Sequence, residues 1–134
     1  MASQQELDIR RALNARRIAV VGMSPKPERA GHYVAAYLIE HGYDVVPVNP
    51  REDEILGLKC YPSLAAVPGK VDLVDVFRDA SAVPEIAAQT VAIKAEFLWL
   101  QLGIVSEEGA AIARQGGVTC IMDKCIKVEH ARYL

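Results

Sequence analysis

The sequence predicts an α/β fold: an open, doubly wound sheet of about five parallel strands with helices on both faces. Three observations carry that expectation. Short apolar runs recur at 16–22, 43–50, 72–77, 96–103 and 117–123, each hydrophobic enough for a strand buried on both sides. Segments with a helical apolar period separate them, and such alternation implies parallel strands joined by right-handed crossovers. The first run ends in Gly22, where a strand can turn sharply into a ligand-binding loop.

Residues 4–14 carry Leu7, Ile9 and Leu13 as the apolar marks of a short amphipathic helix. "RRIAVVG" (16–22) is the first strand. Residues 29–41 place Val34, Leu38 and Ile39 on one helical face, and Gly42 suits the left-handed cap that ends the helix. "YDVVPVNP" (43–50) is the second strand, with its pairing weakened at Pro47, which has no N–H to donate. "GLKCYPSL" (57–64) reads as irregular chain or a short extra strand.

"DLVDVF" (72–77) is the third strand. A buried carboxylate needs a partner, so Asp75 is expected near the sheet edge beside a hydrogen-bonding neighbour, with a catalytic role as the alternative. A helix follows over 81–93, capped by Ser81 or Asp79. "EFLWLQLG" (96–103) is the fourth strand, with Trp99 in the core. Ser106 caps the next helix, "EEGAAIARQ", whose first turn holds two glutamates where the helix dipole favours them. "GVTCIMD" (117–123) is the fifth strand, and a short helix closes the chain from Lys124. With these five strands numbered in chain order, the expected sheet order is 3-2-1-4-5.

The 134 residues suffice for one domain, 1–134, with a real core. The chain is 51% hydrophobic and 24% charged, with a net charge of −2, and so lacks the basic excess of a general nucleic-acid binder. No stretch approaches the roughly 18 apolar residues that span a bilayer. The N-terminus, "MASQQELDIRRAL", does not read as a signal peptide. An odd count of three cysteines (Cys60, Cys120 and Cys125) suggests reduced thiols and a cytoplasmic protein.

Ligands of doubly wound sheets bind outside the carboxyl ends of the strands. That rule directs attention to 22–31, 48–51, 76–79, 100–104 and 122–125. In "GMSPKPERAG", Gly22 allows a sharp turn, Ser24 offers a hydroxyl and an amide, and two prolines stiffen the loop. Lys26 and Arg29 add positive charge beside the start of a helix, where free N–H groups already favour an anion. The loop therefore reads as a phosphate site, with a proline-stiffened surface loop as the plainer alternative.

The dinucleotide fingerprint G-x-G-x-x-G is missing, and so is an acid at the end of the second strand to hold an NAD ribose. That end is "VNPR", which offers backbone groups and the Asn49 side chain. Phe77 serves either as a surface for an apolar ligand or as core, and Arg78 is placed to reach a phosphate. Gln101 and the backbone near Gly103 fall at the same edge. Cys120 and Cys125 lack the spacing and the histidine partners of a zinc site. Cys125 reads as an ordinary thiol, with activation beside Lys124 at a helix start as the alternative.

Four stretches, "AVVGMSPKPERAGHYVAAYLIEHGYDVVPVNP", "VDLVDVFR", "WLQLGIVSEEG" and "MDKCIKVEH", resemble in order and spacing the small stand-alone CoA-binding proteins. These are similar to the N-terminal CoA-binding domain of the succinyl-CoA synthetase alpha subunit. The resemblance covers about residues 14–132. It implies a Rossmann-like domain that binds coenzyme A, free or acylated, across the carboxyl ends of the strands. Gly22, Ser24, Lys26 and Arg29 would meet the nucleotide and its phosphates. Val48, Asn49 and Pro50 would line the adenosine or pantetheine path. Phe77 and Arg78 would flank the opposite side, and Gln101 and Gly103 would lie toward the thiol.

The synthetase's second domain, with its phosphorylated histidine, has no counterpart among these residues, so the resemblance implies binding without ligase chemistry. CoA carries a diphosphate and a 3′-phosphate, for which Lys26, Arg29, Arg78 and Arg51 supply charge, and its pantetheine arm suits Val48, Pro50 and Phe77. Two rival readings stand beside it: a small NAD(P)-dependent oxidoreductase domain, and a regulatory protein-interaction module on the same fold. The terminal "IKVEHARYL" leaves a protein partner or self-association open.

Overall fold

The computed structural model covers residues 1–134. In chain order its elements are α1 (Gln4–Leu13), β1 (Arg17–Val21), α2 (Ala30–Glu40), β2 (Asp44–Val48), β3 (Glu54–Ile55) and β4 (Leu58–Lys59). There follow β5 (Leu73–Val76), α3 (Val83–Ala92), β6 (Phe97–Leu100), α4 (Glu107–Gln115), β7 (Thr119–Ile121) and α5 (Ile126–Tyr133). Five strands form one parallel sheet, and the two-residue strands β3 and β4 form a separate antiparallel pair.

The sheet order is β2-β1-β5-β6-β7. Counting the five sheet strands alone, this is 2-1-3-4-5, which corrects the expected 3-2-1-4-5. The reason lies in Pro47. The N–H and C=O of one strand residue point to the same side, and the Pro47 carbonyl faces outward to accept the Tyr61 N–H at 3.0 Å. The missing N–H therefore also falls on the outer side, a position proline tolerates only at an edge. β5 is buried at all four positions and takes the central place beside β1 instead. The direction in which successive strands are added to the sheet thus reverses between β1 and β5, which stay parallel.

Alternation along the strands sends two apolar surfaces to opposite faces. Ala19, Val21, Val46, Val74, Val76, Leu98 and Leu100 pack on α3 and α4. Ile18, Val20, Val45, Leu73, Phe97 and Trp99 pack on α1, α2 and α5. Trp99 is fully buried, as expected, and its indole N–H donates to the Lys124 carbonyl at 2.8 Å. α5 is tied to α2 by a 2.7 Å hydrogen bond between Tyr37 Oη and His130 Nδ1. Burial, with the neighbouring His41, lowers the His130 pKa.

The helix caps separate cleanly. Ser106 Oγ accepts the Gly109 N–H at 3.0 Å, as its spacing predicts. α3 differs: a 3-10 turn, Ala80–Ala82, precedes it, and neither Ser81 nor Asp79 supplies a side-chain cap. Pro84 in the first turn removes one N–H that would need capping.

Asp75 is not at an edge. It sits on the central strand β5 with Val20 on one side and Trp99 on the other. It is fully buried, and neither carboxylate oxygen has a hydrogen-bond partner. Desolvation pushes its pKa well above the usual carboxylate range.

An unfolded chain ionises this carboxyl near pH 4, while the native state keeps the proton, so above that pH the native state holds more protons than the unfolded chain. The Asp75 contribution is whole below that pH and declines as pH climbs toward the raised native pKa, by up to about 1.4 kcal/mol per pH unit. Urea unfolding between pH 5 and 8 should show a steeper loss of stability in the native protein than in Asp75→Asn. Equal slopes would show that Asp75 does not hold its proton.

Candidate functional site

The site begins where β1 ends. Gly22 has φ of +86°, a conformation that side chains resist. A Cβ there would lie 2.7 Å from the Phe77 carbonyl oxygen, so β1 can turn this close to β5 only without a side chain. Gly31, in the first turn of α2, meets the same turn from above. A Cβ on Gly31 would lie 2.7 Å from the Gly22 carbonyl oxygen and 3.5 Å from the Phe77 ring. The helix start, the β1 turn and the β5 end are therefore pressed together at two glycines.

This contact puts the start of α2 over the carboxyl edge of the sheet. The helix has Arg29 at its N-cap position and no side-chain cap. The N–H groups of Ser24, Ala30 and Gly31 donate to no acceptor within the protein. All three residues line a cavity of about 780 Å³. Uncapped N–H groups at a helix start carry partial positive charge and suit an anion.

Lys26, Arg29, Arg51 and Arg78 line the same cavity. None of these four cations takes part in an ion pair; the protein's four ion pairs lie on other residues. Glu52 and Asp79 also line the cavity without pairing to them. Four unpaired side-chain cations thus surround free backbone donors in a protein whose net charge is −2.

A second cavity of about 560 Å³ adjoins the first. The two share Gly22, Arg29, Asn49, Arg51, Phe77 and Arg78, which form the ridge between them. The larger lobe lies on the α2 and α5 side, with Tyr33, Val34 and Cys125 in its wall. The smaller lies on the α3 side, against Leu64, Ile86, Glu85 and Gln89. The cleft therefore straddles the sheet edge at the reversal between β1 and β5, where a doubly wound sheet accepts its ligand.

Each of the eleven residues that the resemblance assigns to the ligand lines this cleft, but not in one group. Ser24, Lys26, Gln101 and Gly103 line the larger lobe alone. Val48 and Pro50 line the smaller lobe alone. Gly22, Arg29, Asn49, Phe77 and Arg78 belong to both. Gln101 Oε1 accepts the Ile126 N–H at 3.1 Å, which leaves its Nε2 as the free end. Gly103 N–H donates to Asp123 Oδ1 at 2.8 Å, latching the β6–α4 loop to the β7–α5 loop.

The Asn49 side chain is engaged inside the protein rather than held out to a ligand. Its Nδ2 donates to the Met23 carbonyl at 2.9 Å, and its Oδ1 accepts the Arg51 N–H at 2.9 Å. The wall from Glu85 and Gln89 was not read from the sequence. Their spacing of four on the helix that follows β5 was the available signal, since that helix must start at the carboxyl edge. Among the thiols, Cys60 and Cys120 are buried, and burial pushes both pKa values up, Cys120 to about 11. Cys125 is half-buried and lines the larger lobe.

The fold and cleft define a doubly wound domain with a two-lobed cleft lined by four unpaired cations. Residues 16–131 match the model of the CoA binding domain, and the chain belongs to that family. It is 40% identical over 132 residues to the uncharacterized protein YneT of Bacillus subtilis, covering 98% of each. A hypothetical protein from Pyrococcus horikoshii superimposes with a TM-score of 0.93 at 38% identity, over 98% of this chain and 96% of that one. The alpha subunit of acetate–CoA ligase (ADP-forming) II from Pyrococcus furiosus is 48% identical over 61 residues, 45% of this chain. That match spans only 13% of the ligase subunit. No helix is long and apolar enough to cross a membrane.

Gly31→Ala tests the glycine contact. Helix propensity alone would favour alanine by up to about 1 kcal/mol. The contact with a backbone oxygen should outweigh it, because overpacking costs about 1–3 kcal/mol. Chemical denaturation should show net destabilisation, with NMR shifts in the Ser24 amide. A stabilised variant with an unmoved Ser24 amide would contradict the close approach.

Proposed function

We propose that this chain binds coenzyme A, as the free thiol or a thioester, along the two-lobed cleft and carries out no ligase chemistry of its own. Three uncapped N–H groups ringed by four unpaired cations are the observation that carries the reading. CoA bears a diphosphate and a 3′-phosphate, more charge than a nicotinamide dinucleotide without a 2′-phosphate brings. Ser24, Lys26 and Arg29 meet phosphate oxygens, and Arg51 and Arg78 add charge on the ridge. A strand ending in Val48-Asn49-Pro50 lacks the carboxylate that would bind a free ribose hydroxyl and would repel a phosphate there.

The two lobes suit the shape of the ligand. One lobe alone is of ordinary small-ligand size. CoA is longer than that and has two ends of different chemistry. Val48, Pro50 and Phe77 give the ridge and smaller lobe apolar surface. Gln101 and Gly103 line the larger lobe alone, and the resemblance assigns them to the thiol end. Family membership supports the ligand class. Three cysteines outside any disulfide fit a reducing cytoplasm.

Isothermal titration with CoA, dephospho-CoA and NADPH tests the reading. CoA should bind, and NADPH should bind more weakly. Lys26→Ala and Arg29→Ala should each weaken CoA by about 1.5–3 kcal/mol, the range for a hydrogen bond to a charged group. A residue that meets the 3′-phosphate should lose less with dephospho-CoA. Tight NADPH binding without CoA binding would overturn the assignment.

A further inference from the structure

His32 lies outside the cavity lining, yet its ring reaches the loop that forms the site: His32 Nδ1 stands 2.8 Å from the Ser24 carbonyl oxygen. A carbonyl only accepts, so Nδ1 carries the proton and donates. One residue earlier, Asn49 Nδ2 holds the Met23 carbonyl at 2.9 Å. One earlier again, the Gly22 carbonyl is pressed against the Gly31 Cα. Three successive carbonyls are thus each fixed against the protein by α2 or by the end of β2.

The planarity of the peptide unit gives these contacts a consequence. In a trans peptide the carbonyl of one residue and the N–H of the next point in opposite directions. Holding the Met23 carbonyl therefore sets the direction of the Ser24 N–H, one of the free donors in the cavity. The Ser24 unit is different, because Pro25 follows and has no N–H. A freely turning Ser24 carbonyl would place a bare negative dipole beside the anion with no donor to offset it. The other prolyl unit of the loop is treated likewise, with the Lys26 carbonyl accepting the Arg29 N–H at 3.0 Å.

We propose that His32 and Asn49 are positioning residues of the anion site, which turn the Ser24 and Met23 carbonyls away from the cavity and leave it a lining of donors. The proposal rests on the reading of this cleft as a phosphate-binding site. His32 contributes through Nδ1, and asparagine places an amide nitrogen at the same distance along the side chain as that ring nitrogen. Asparagine should therefore substitute for histidine here, whereas leucine fills space without donating.

The test titrates native protein, His32→Leu and His32→Asn with CoA, with inorganic pyrophosphate and with pantetheine, following heat by calorimetry and the Ser24, Ala30 and Gly31 amides by NMR. His32→Leu should lose about tenfold or more in CoA and pyrophosphate affinity, the scale of one charge-assisted hydrogen bond, and leave pantetheine unchanged. His32→Asn should recover most of that loss. A purely structural role would lower the affinity of all three ligands together and would not be restored by asparagine.

Binding of CoA and pyrophosphate by His32→Leu as tight as by the native protein would overturn the proposal, as would a His32→Asn no better than leucine. Native protein that binds pyrophosphate with this His32 dependence but rejects CoA would overturn the CoA reading and leave the positioning role standing. Native protein that binds neither would remove both.

Discussion

The close approach of α2 to the β1 turn is the contact on which the site depends. Gly31 lies against the Gly22 carbonyl, and Gly22 lies against the Phe77 carbonyl, each so near that a single methyl group would collide with backbone. Because the helix enters there, its uncapped N–H groups open onto the sheet edge. Because β1 turns there, Ser24, Lys26 and Arg29 line the same opening as Phe77 and Arg78. The cations are exposed and individually contribute little to stability. Their convergence makes the place chemically distinct.

The resulting cleft has two lobes because β1 and β5 run side by side while their following helices go to opposite faces. One lobe forms over α2 and α5, the other over α3. Arg29, Arg51 and Arg78 occupy the ridge, with Tyr33 and Val34 as apolar wall in the larger lobe and Val48 and Pro50 in the smaller. A ligand whose charge sits between two dissimilar ends is matched by that distribution.

Much of the fold was legible because strands buried on both faces are nearly continuous apolar runs, and five such runs stand out between helical segments. The ligand edge was legible because glycine, proline and basic residues cluster after the first strand. Pro47 carries the signal for the sheet order, because a proline confines its strand to the edge, whereas the order 3-2-1-4-5 would put β2 inside the sheet. Asp75 defied the expectation that a buried carboxylate finds a partner, for its neighbours on both sides, Val20 and Trp99, are apolar. Cap residues were legible at Ser106, where one hydroxyl meets one amide, and misleading at Ser81 and Asp79, where a 3-10 turn intervenes. The engagement of Asn49 and the reach of His32 depend on which elements meet in space, and no local pattern carries them.

A crystal structure of the CoA complex tests the central claim most directly. The account predicts the ligand draped over the ridge, with phosphate oxygens on the Ser24, Ala30 and Gly31 amides and on Lys26 and Arg29. A ligand lodged elsewhere, or those amides left facing solvent beside it, would contradict the account.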